Sequence, residues 1–226
     1  MASRETEFSP AVQDYAKAIY QLAERLGGGV STTALAERLD VTPASASGMV
    51  RKLDELGLVA HVPYKGVELT PKGARLALEV LRHHRLLELY LATSLGVPWD
   101  RVHDEAEVLE HVLSEELEEL IAAKLGNPTR DPHGDPIPSA DLVIEEVVGE
   151  CLTELEPGSA GIFVRISDSE PEMLRYLAER GIAPGDRFEV VDKQPFDGPL
   201  FVRFGDAVHV LGGSLAQAMR VEADAG

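Results

Sequence analysis

Residues 102–120, VHDEAEVLEHVLSEELEEL, hold two histidines and eight carboxylates in nineteen positions. At 100° per residue, His103, Glu107, Glu110 and His111 fall on one helical face. Ala106, Val108, Leu109, Val112 and Leu113 fall on the other and read as core. Like charges at such spacing repel by roughly a few tenths of a kcal/mol per pair, and a divalent cation removes that cost. Histidine adds a neutral nitrogen donor, which suits transition metals more than calcium or magnesium. The bland alternative is a solvated acidic face, and Glu115, Glu116, Glu118 and Glu119 read as one. A second pair weighs toward metal. In TPKGARLALEVLRHHRLLELYLATSLG, a long predicted helix, His84 and Glu88 sit four residues apart on one side.

The elements that must position these groups begin with the N-terminal part of the chain. Residues 10–26 read as an amphipathic helix with Pro10 in its first turn. Ser31 or Thr32 caps a short helix, TALAERLD. In VTPASASGMVRKLDELGLV, Thr42 suits an N-cap, Pro43 the first helical position and Gly57 the C-terminal stop. Met49, Val50, Leu53 and Leu56 make its inner stripe, and its start is small and polar, followed by Arg51 and Lys52. A helix, a turn and a helix with such a start match a major-groove reader. VAHVPYKGVELT then reads as a hairpin, a wing with Lys65 placed to meet phosphate. The alternative is a winged helix used only as an interaction scaffold.

Charge fits this division. The chain carries −18 overall, yet residues 1–82 balance ten Lys/Arg against ten Asp/Glu, so the acid lies beyond the head. One cysteine, Cys151, excludes an intramolecular disulfide. No apolar run is long enough to span a membrane, and MASRETEFSP lacks the features of a signal peptide, so a cytoplasmic protein is predicted.

The order of winged helix, linker helix with H-R-L-L-E, and V-H-D-E-A-x-x-x-E-H resembles the diphtheria toxin repressor family of metal-dependent transcriptional repressors, as does NPTRDPHGDPIP at 127–138. The resemblance covers nearly the whole chain. It implies a homodimer that binds palindromic operators when loaded with Mn(II) or Fe(II), with Co(II) or other divalent transition metals as substitutes, and that controls metal-uptake genes. It implies a primary metal site of Asp14, Glu107, Glu110 and His111. Iron-sensing members carry methionine and cysteine where this chain has Asp14 and Glu107, and the manganese-sensing branch carries acids, so manganese is expected. Lys17 departs from the pattern, because the two-domain manganese regulators have an acidic ligand there. A second site is implied at His84, Glu88 and His103, completed by Glu170, with Asp168 as its rival. Asp131 and His133 align with a Cys-Pro-His-Gly ligand stretch of some members, and a plain loop histidine is the alternative for His133. In the reading helix, Thr42, Ala44, Ser45 and Ser47 keep small groups in place, while Gly48 replaces a base-reaching glutamine.

The remaining pattern completes the fold class: mainly α with small β. It comprises a winged helix-turn-helix (1–73), a helical region that the resemblance makes the metal-binding and dimerisation domain (74–143), an extended linker (144–157) and a small β-barrel (158–226) that resembles the SH3-like, FeoA-like domain of the three-domain members. In the last part GIFVRIS, DRFEVVD, LFVRF and AVHVLG are expected strands and PEMLRYLAERG a helix. Two rival functions remain. Metal-assisted hydrolysis would suit the acidic site, but no nucleophile elbow, P-loop or HExxH motif accompanies it, so no enzyme is expected. A winged-helix regulator of an organic ligand would leave the acidic helix merely solvated.

Overall fold

The computed structural model describes residues 8–62, 66–144, 149–167, 170–196 and 198–224. The chain divides into two compact units, Met1–His84 with Glu107–Leu120 and Pro138–Val143, and Arg85–Ala106 with Ile121–Ile137 and Ile144–Gly226. No helix among the described residues is long and apolar enough to cross a membrane.

In the first unit, α1 (Pro10–Leu26) places Pro10 at its start and buries Val12, Tyr15, Ala16, Ile19 and Leu22. Ser31 caps α2 (Thr32–Arg38), its hydroxyl accepting from Ala34 N at 3.1 Å. Thr42 does the same for α3 (Pro43–Glu55), accepting from Ser45 N at 3.2 Å. Leu35, Ala46, Val50 and Leu53 complete this core, with Met49 and Leu56 only partly buried. Strands β1 (Val59–Val62) and β2 (Gly66–Leu69) pair antiparallel, Val59 opposite Leu69 and Val62 opposite Gly66. This is the expected winged helix-turn-helix. The wing tip, with Lys65, lies outside the described residues.

Helix α4 (Pro71–Leu95) starts at Thr70, whose hydroxyl accepts from Gly73 N and donates to Gly57 O. The acidic stretch, expected as one helix, is two: α5 (Val102–Leu109) and α6 (Glu115–Lys124). Ser114 explains the break. Its hydroxyl accepts from Leu117 N at 3.3 Å, and Glu115, Glu116 and Glu118 follow in the first turn, where the helix dipole favours acids. The helical wheel therefore cannot be run through the break, and its apolar face is not all core. Val108 and Val112, expected in the core, are 70% and 77% exposed, while Glu110 is 1% exposed.

The second unit ends in a six-stranded antiparallel sheet. Its strands are β3 (Glu150–Cys151), β4 (Ala160–Ile166), β5 (Arg187–Lys193), β6 (Leu200–Phe204), β7 (Ala207–Leu211) and β8 (Met219–Ala223), in the order β3-β8-β4-β5-β6-β7. Helix α7 (Pro171–Ala178) follows β4, and α8 (Gly213–Ala218) precedes β8. Phe163, Ile166, Leu177, Phe188, Val190, Val202 and Val221 fill the core. The expected linker differs in its second half. Cys151, Leu152 and Leu155 are buried in this unit, and β3 pairs with β8. Three apolar side chains in a row of acids are enough to draw the segment into the sheet.

Candidate metal centre

Glu110 is the hub of the first cluster. It lies in the turn between α5 and α6, and its side chain is fully buried. His84 of α4 places Nδ1 2.5 Å from Glu110 Oε2 and 3.9 Å from Glu107 Oε1. His111 Nε2 stands 3.7 Å from Glu110 Oε1 and 2.9 Å from Asp14 Oδ1 of α1. Asp14, Glu110 and His111 can offer three donor atoms within 4.8 Å of one another, and so can His84, Glu107 and Glu110.

The fit to a cation is direct. Asp14 Oδ1 is buried and accepts no hydrogen bond among the described residues, although His111 Nε2 is close. Burial pushes the Asp14 carboxyl up, with His111 and Lys17 pulling the other way. An imidazole nitrogen and a carboxylate oxygen this close are arranged as ligands of a shared ion are. Gln13, which sequence reasoning missed, sets the histidine. Its Oε1 is 2.6 Å from His111 Nδ1, a contact that orients the ring with Nε2 toward Asp14.

Lys17 is the other surprise. Its Nζ donates to Glu107 Oε1 at 2.7 Å and to Glu110 Oε1 and Oε2 at 2.7 and 2.9 Å. Burial works against the ammonium, but Glu110 and Glu107 outweigh it and hold the pKa above the usual lysine value. Behind the cluster, Glu118 accepts from Arg82 Nε and pairs with His83 Nε2 at 2.9 Å, and Arg82 also donates to Pro138 O at 2.6 Å. Glu118, expected in a solvated run, is instead paired with Arg82 and His83. It anchors α6 to α4. Burial raises its pKa, but the bonds from His83 and Arg82 win and lower it.

The second cluster lies in the second unit. Glu88 Oε1 is 3.3 Å from His103 Nδ1, and Glu88 Oε2 is 3.7 Å from His133 Nδ1. Glu88, Asp131 and His133, all buried, form a further triad of donors within 4.8 Å. A tight loop presents them: Asp131 Oδ1 accepts from His133 N and Asp135 N at 2.8 and 2.9 Å. His133 O accepts from Ile166 N, which docks the loop on β4. Gly134 permits that docking, since a Cβ there would lie 1.9 Å from Val164 O. Burial, with Asp135 and Glu88 beside it, pushes the Asp131 carboxyl well above the usual carboxylate range. A cation is the natural relief for that much buried acid. Glu170, expected here, is instead exposed just before α7, and no donor group among the described residues includes it. Asp168 lies outside the described residues.

The reading face of α3 is open. Thr42, Ala44, Ser45, Ser47, Arg51 and Lys52 are all exposed. Thr42 Oγ1 and Ser45 Oγ bond each other at 2.9 Å, and Ser47 Oγ donates to Pro43 O. A Cβ at Gly48 would meet nothing within 4 Å, so neighbouring side chains do not require this glycine, which costs roughly 0.5–1 kcal/mol relative to alanine.

Three family models match the chain. They are the iron-dependent repressor N-terminal DNA binding domain over 7–67, the iron-dependent repressor metal binding and dimerisation domain over 70–139, and the FeoA domain over 151–223. The iron-dependent repressor IdeR of Mycobacterium tuberculosis is 33% identical over 231 residues, covering 96% of this chain and 98% of that protein. The diphtheria toxin repressor of Corynebacterium diphtheriae is 31% identical over 222 residues, 92% and 95% of the two. Among solved structures, a manganese-dependent transcriptional repressor in complex with manganese is 46% identical with a TM-score of 0.85, covering 94% of this chain and 99% of that one. The manganese regulator SloR is 29% identical with a TM-score of 0.77, covering 96% and 100%.

Proposed function

The chain belongs to the diphtheria toxin repressor family of metal-dependent transcriptional repressors, and from that premise we propose that Mn(II) is the ion to which it responds. It is a DNA-binding regulator and not an enzyme. The observation that carries the choice of manganese is the donor set. Asp14, Glu110 and His111, with Glu107 beside them, offer hard oxygens and an imidazole, with no sulfur. The chain's single thiol, Cys151, is buried and donates to Gln217 O at 3.2 Å. Mn(II) is weakest in the general affinity order, so oxygen ligands and geometry must provide its selectivity. The likeness to a manganese repressor at 46% identity supports the same reading. Fe(II) is the second reading, supported by IdeR at 33% identity.

A bound divalent ion would supply positive charge between Asp14 and the turn at 110–111. Asp14 stands on α1, whose other face packs against α2 and α3 of the DNA-reading head. Holding Asp14 to Glu110 and His111 therefore fixes the attitude of the reading helix. In a homodimer two such helices, set about one helical turn apart, meet a palindromic operator, and metal-uptake genes are the regulated class. Val108, Val112, Leu117 and Leu120 are exposed apolar side chains within the residues matched as a dimerisation domain, and are the surface a second subunit would cover. Glu88, Asp131 and His133, with His103 adjoining on α5, form the second metal site. Ala44, Ser45 and Ser47 approach bases, Thr42 caps the helix, and Arg51, Lys52 and Lys65 meet phosphate. The repressor works in the cytoplasm.

The test is an anaerobic mobility-shift assay on a metal-transporter promoter fragment with buffered Mn(II), Fe(II) or Zn(II). Mn(II)-dependent binding is expected. A shift with Fe(II) and none with Mn(II) assigns the protein to iron.

A further inference from the structure

Two triads of donors share Glu110: Asp14/Glu110/His111, and His84/Glu107/Glu110. They are two neighbouring cation positions joined by one carboxylate. The Lys17 ammonium is bound to the carboxylates of the second. Its three contacts, at 2.7, 2.7 and 2.9 Å, go to Glu107 Oε1 and both oxygens of Glu110, matching the three donors of an ammonium. Lys17 is 6% exposed, and a charged amine lies that deep only when it is paired. Charge balance agrees. Asp14, Glu107 and Glu110 carry three negative charges, which one ammonium and one divalent ion cancel. A second divalent ion beside the ammonium would leave buried positive charge without a partner.

We propose that the Lys17 ammonium is the permanent second cation of this cluster, holding the His84/Glu107/Glu110 position and limiting the cluster to one metal ion, at Asp14/Glu110/His111. The inference rests on the metal reading above. It makes Lys17 a residue that sets stoichiometry. It also makes it a brace, because α1 stays tied to Glu107 and Glu110 with or without metal. The head would thus be held partly in place before any ion arrives.

Equilibrium dialysis against Mn(II) alone, with ions counted by mass spectrometry, compares the full-length protein with its Lys17→Met and Asp14→Ala variants. Lys17→Met keeps an unbranched stem and removes the charge. It should bind one more ion per chain than the parent, and Asp14→Ala one fewer. If Asp14→Ala binds as many as the parent, the metal reading itself is wrong. If Asp14→Ala loses an ion but Lys17→Met gains none, the Lys17 inference alone is wrong. The parent protein gives an independent check. Loaded with Mn(II), its low-temperature electron paramagnetic resonance spectrum should show isolated ions only. An exchange-coupled pair in the parent would overturn the proposal whatever the variants do.

Discussion

The two donor clusters use similar residues to different ends. The first is assembled from distant parts of the chain, with Asp14 and Lys17 on α1 brought to a turn more than ninety residues later. It carries its own cation, so its acids are partly neutralised without metal. The second draws on one turn of α4 and a tight loop at 131–135, and Arg85 Nε stands 3.7 Å from Asp131 Oδ2. There burial holds an acid well above its usual range. On the proposed reading one ion type would do two jobs. At the first cluster it would act on geometry, because Asp14 stands on the DNA-reading head. At the second it would act on stability, because it would relieve buried charge within one unit.

The contrast breaks most sharply at Glu110. Glu110→Ala leaves the Lys17 ammonium buried with one partner fewer, and should cost about 3–5 kcal/mol of stability. Urea unfolding in the presence of chelator measures this on the metal-free protein. A loss below about 1 kcal/mol would mean that Lys17 is solvated and the cluster loosely built.

Gln13→Leu and His133→Ala sharpen the same comparison. Gln13→Leu frees the His111 ring and should weaken Mn(II)-dependent DNA binding by about 10–100-fold through metal affinity. His133→Ala should remove one bound ion and most of the Mn(II)-induced rise in melting temperature, while DNA binding at saturating Mn(II) falls by less than about tenfold. Reversed effects would exchange the roles of the clusters.

Much of this was legible in the sequence, for local reasons. The Ser31 and Thr42 caps, the hairpin and the strands from β4 to β7 announce themselves by short-range pattern. Glu107, Glu110 and His111 were legible by spacing, but Asp14 only through resemblance, since nothing near it in the chain marks it as a ligand. Gln13 gave no signal of its role and Lys17 showed only as a departure from the family pattern, because both roles depend on packing across some ninety residues. The wheel misassigned Val108 and Val112 because it ran through a helix break and because it asks only for one apolar face, not what covers it. The strand β8 was missed because its MRVEA sequence is short and mixes charges with apolar residues, although it lies between β3 and β4.

Two smaller effects follow. The Glu118 pKa is lowered in the folded protein, so its contribution is present above the ordinary carboxylate value and lost as pH falls through the folded one. Glu118→Gln should therefore lower metal-free stability by about 1–2 kcal/mol at neutral pH and by progressively less in acid. Parallel unfolding curves at all pH values would remove the Arg82–Glu118–His83 network from the account. At the DNA, Lys52→Ala should weaken binding on all sequences alike and reduce the salt slope by about one unit. Fluorescence anisotropy across a salt series reads it, and an unchanged slope means that Lys52 touches no phosphate.

On the proposed reading, an ion joining Asp14 to Glu110 and His111 switches the head into its DNA-binding attitude. The direct measurement is promoter-fragment affinity against buffered free Mn(II), for the parent and for Asp14→Ala, with dimer content checked by sedimentation. The parent should gain affinity over the titration by roughly the 5–150-fold typical of allosteric coupling. Asp14→Ala should remain dimeric and give a flat line. A mutant that titrates with the parent's midpoint and amplitude would contradict the claim.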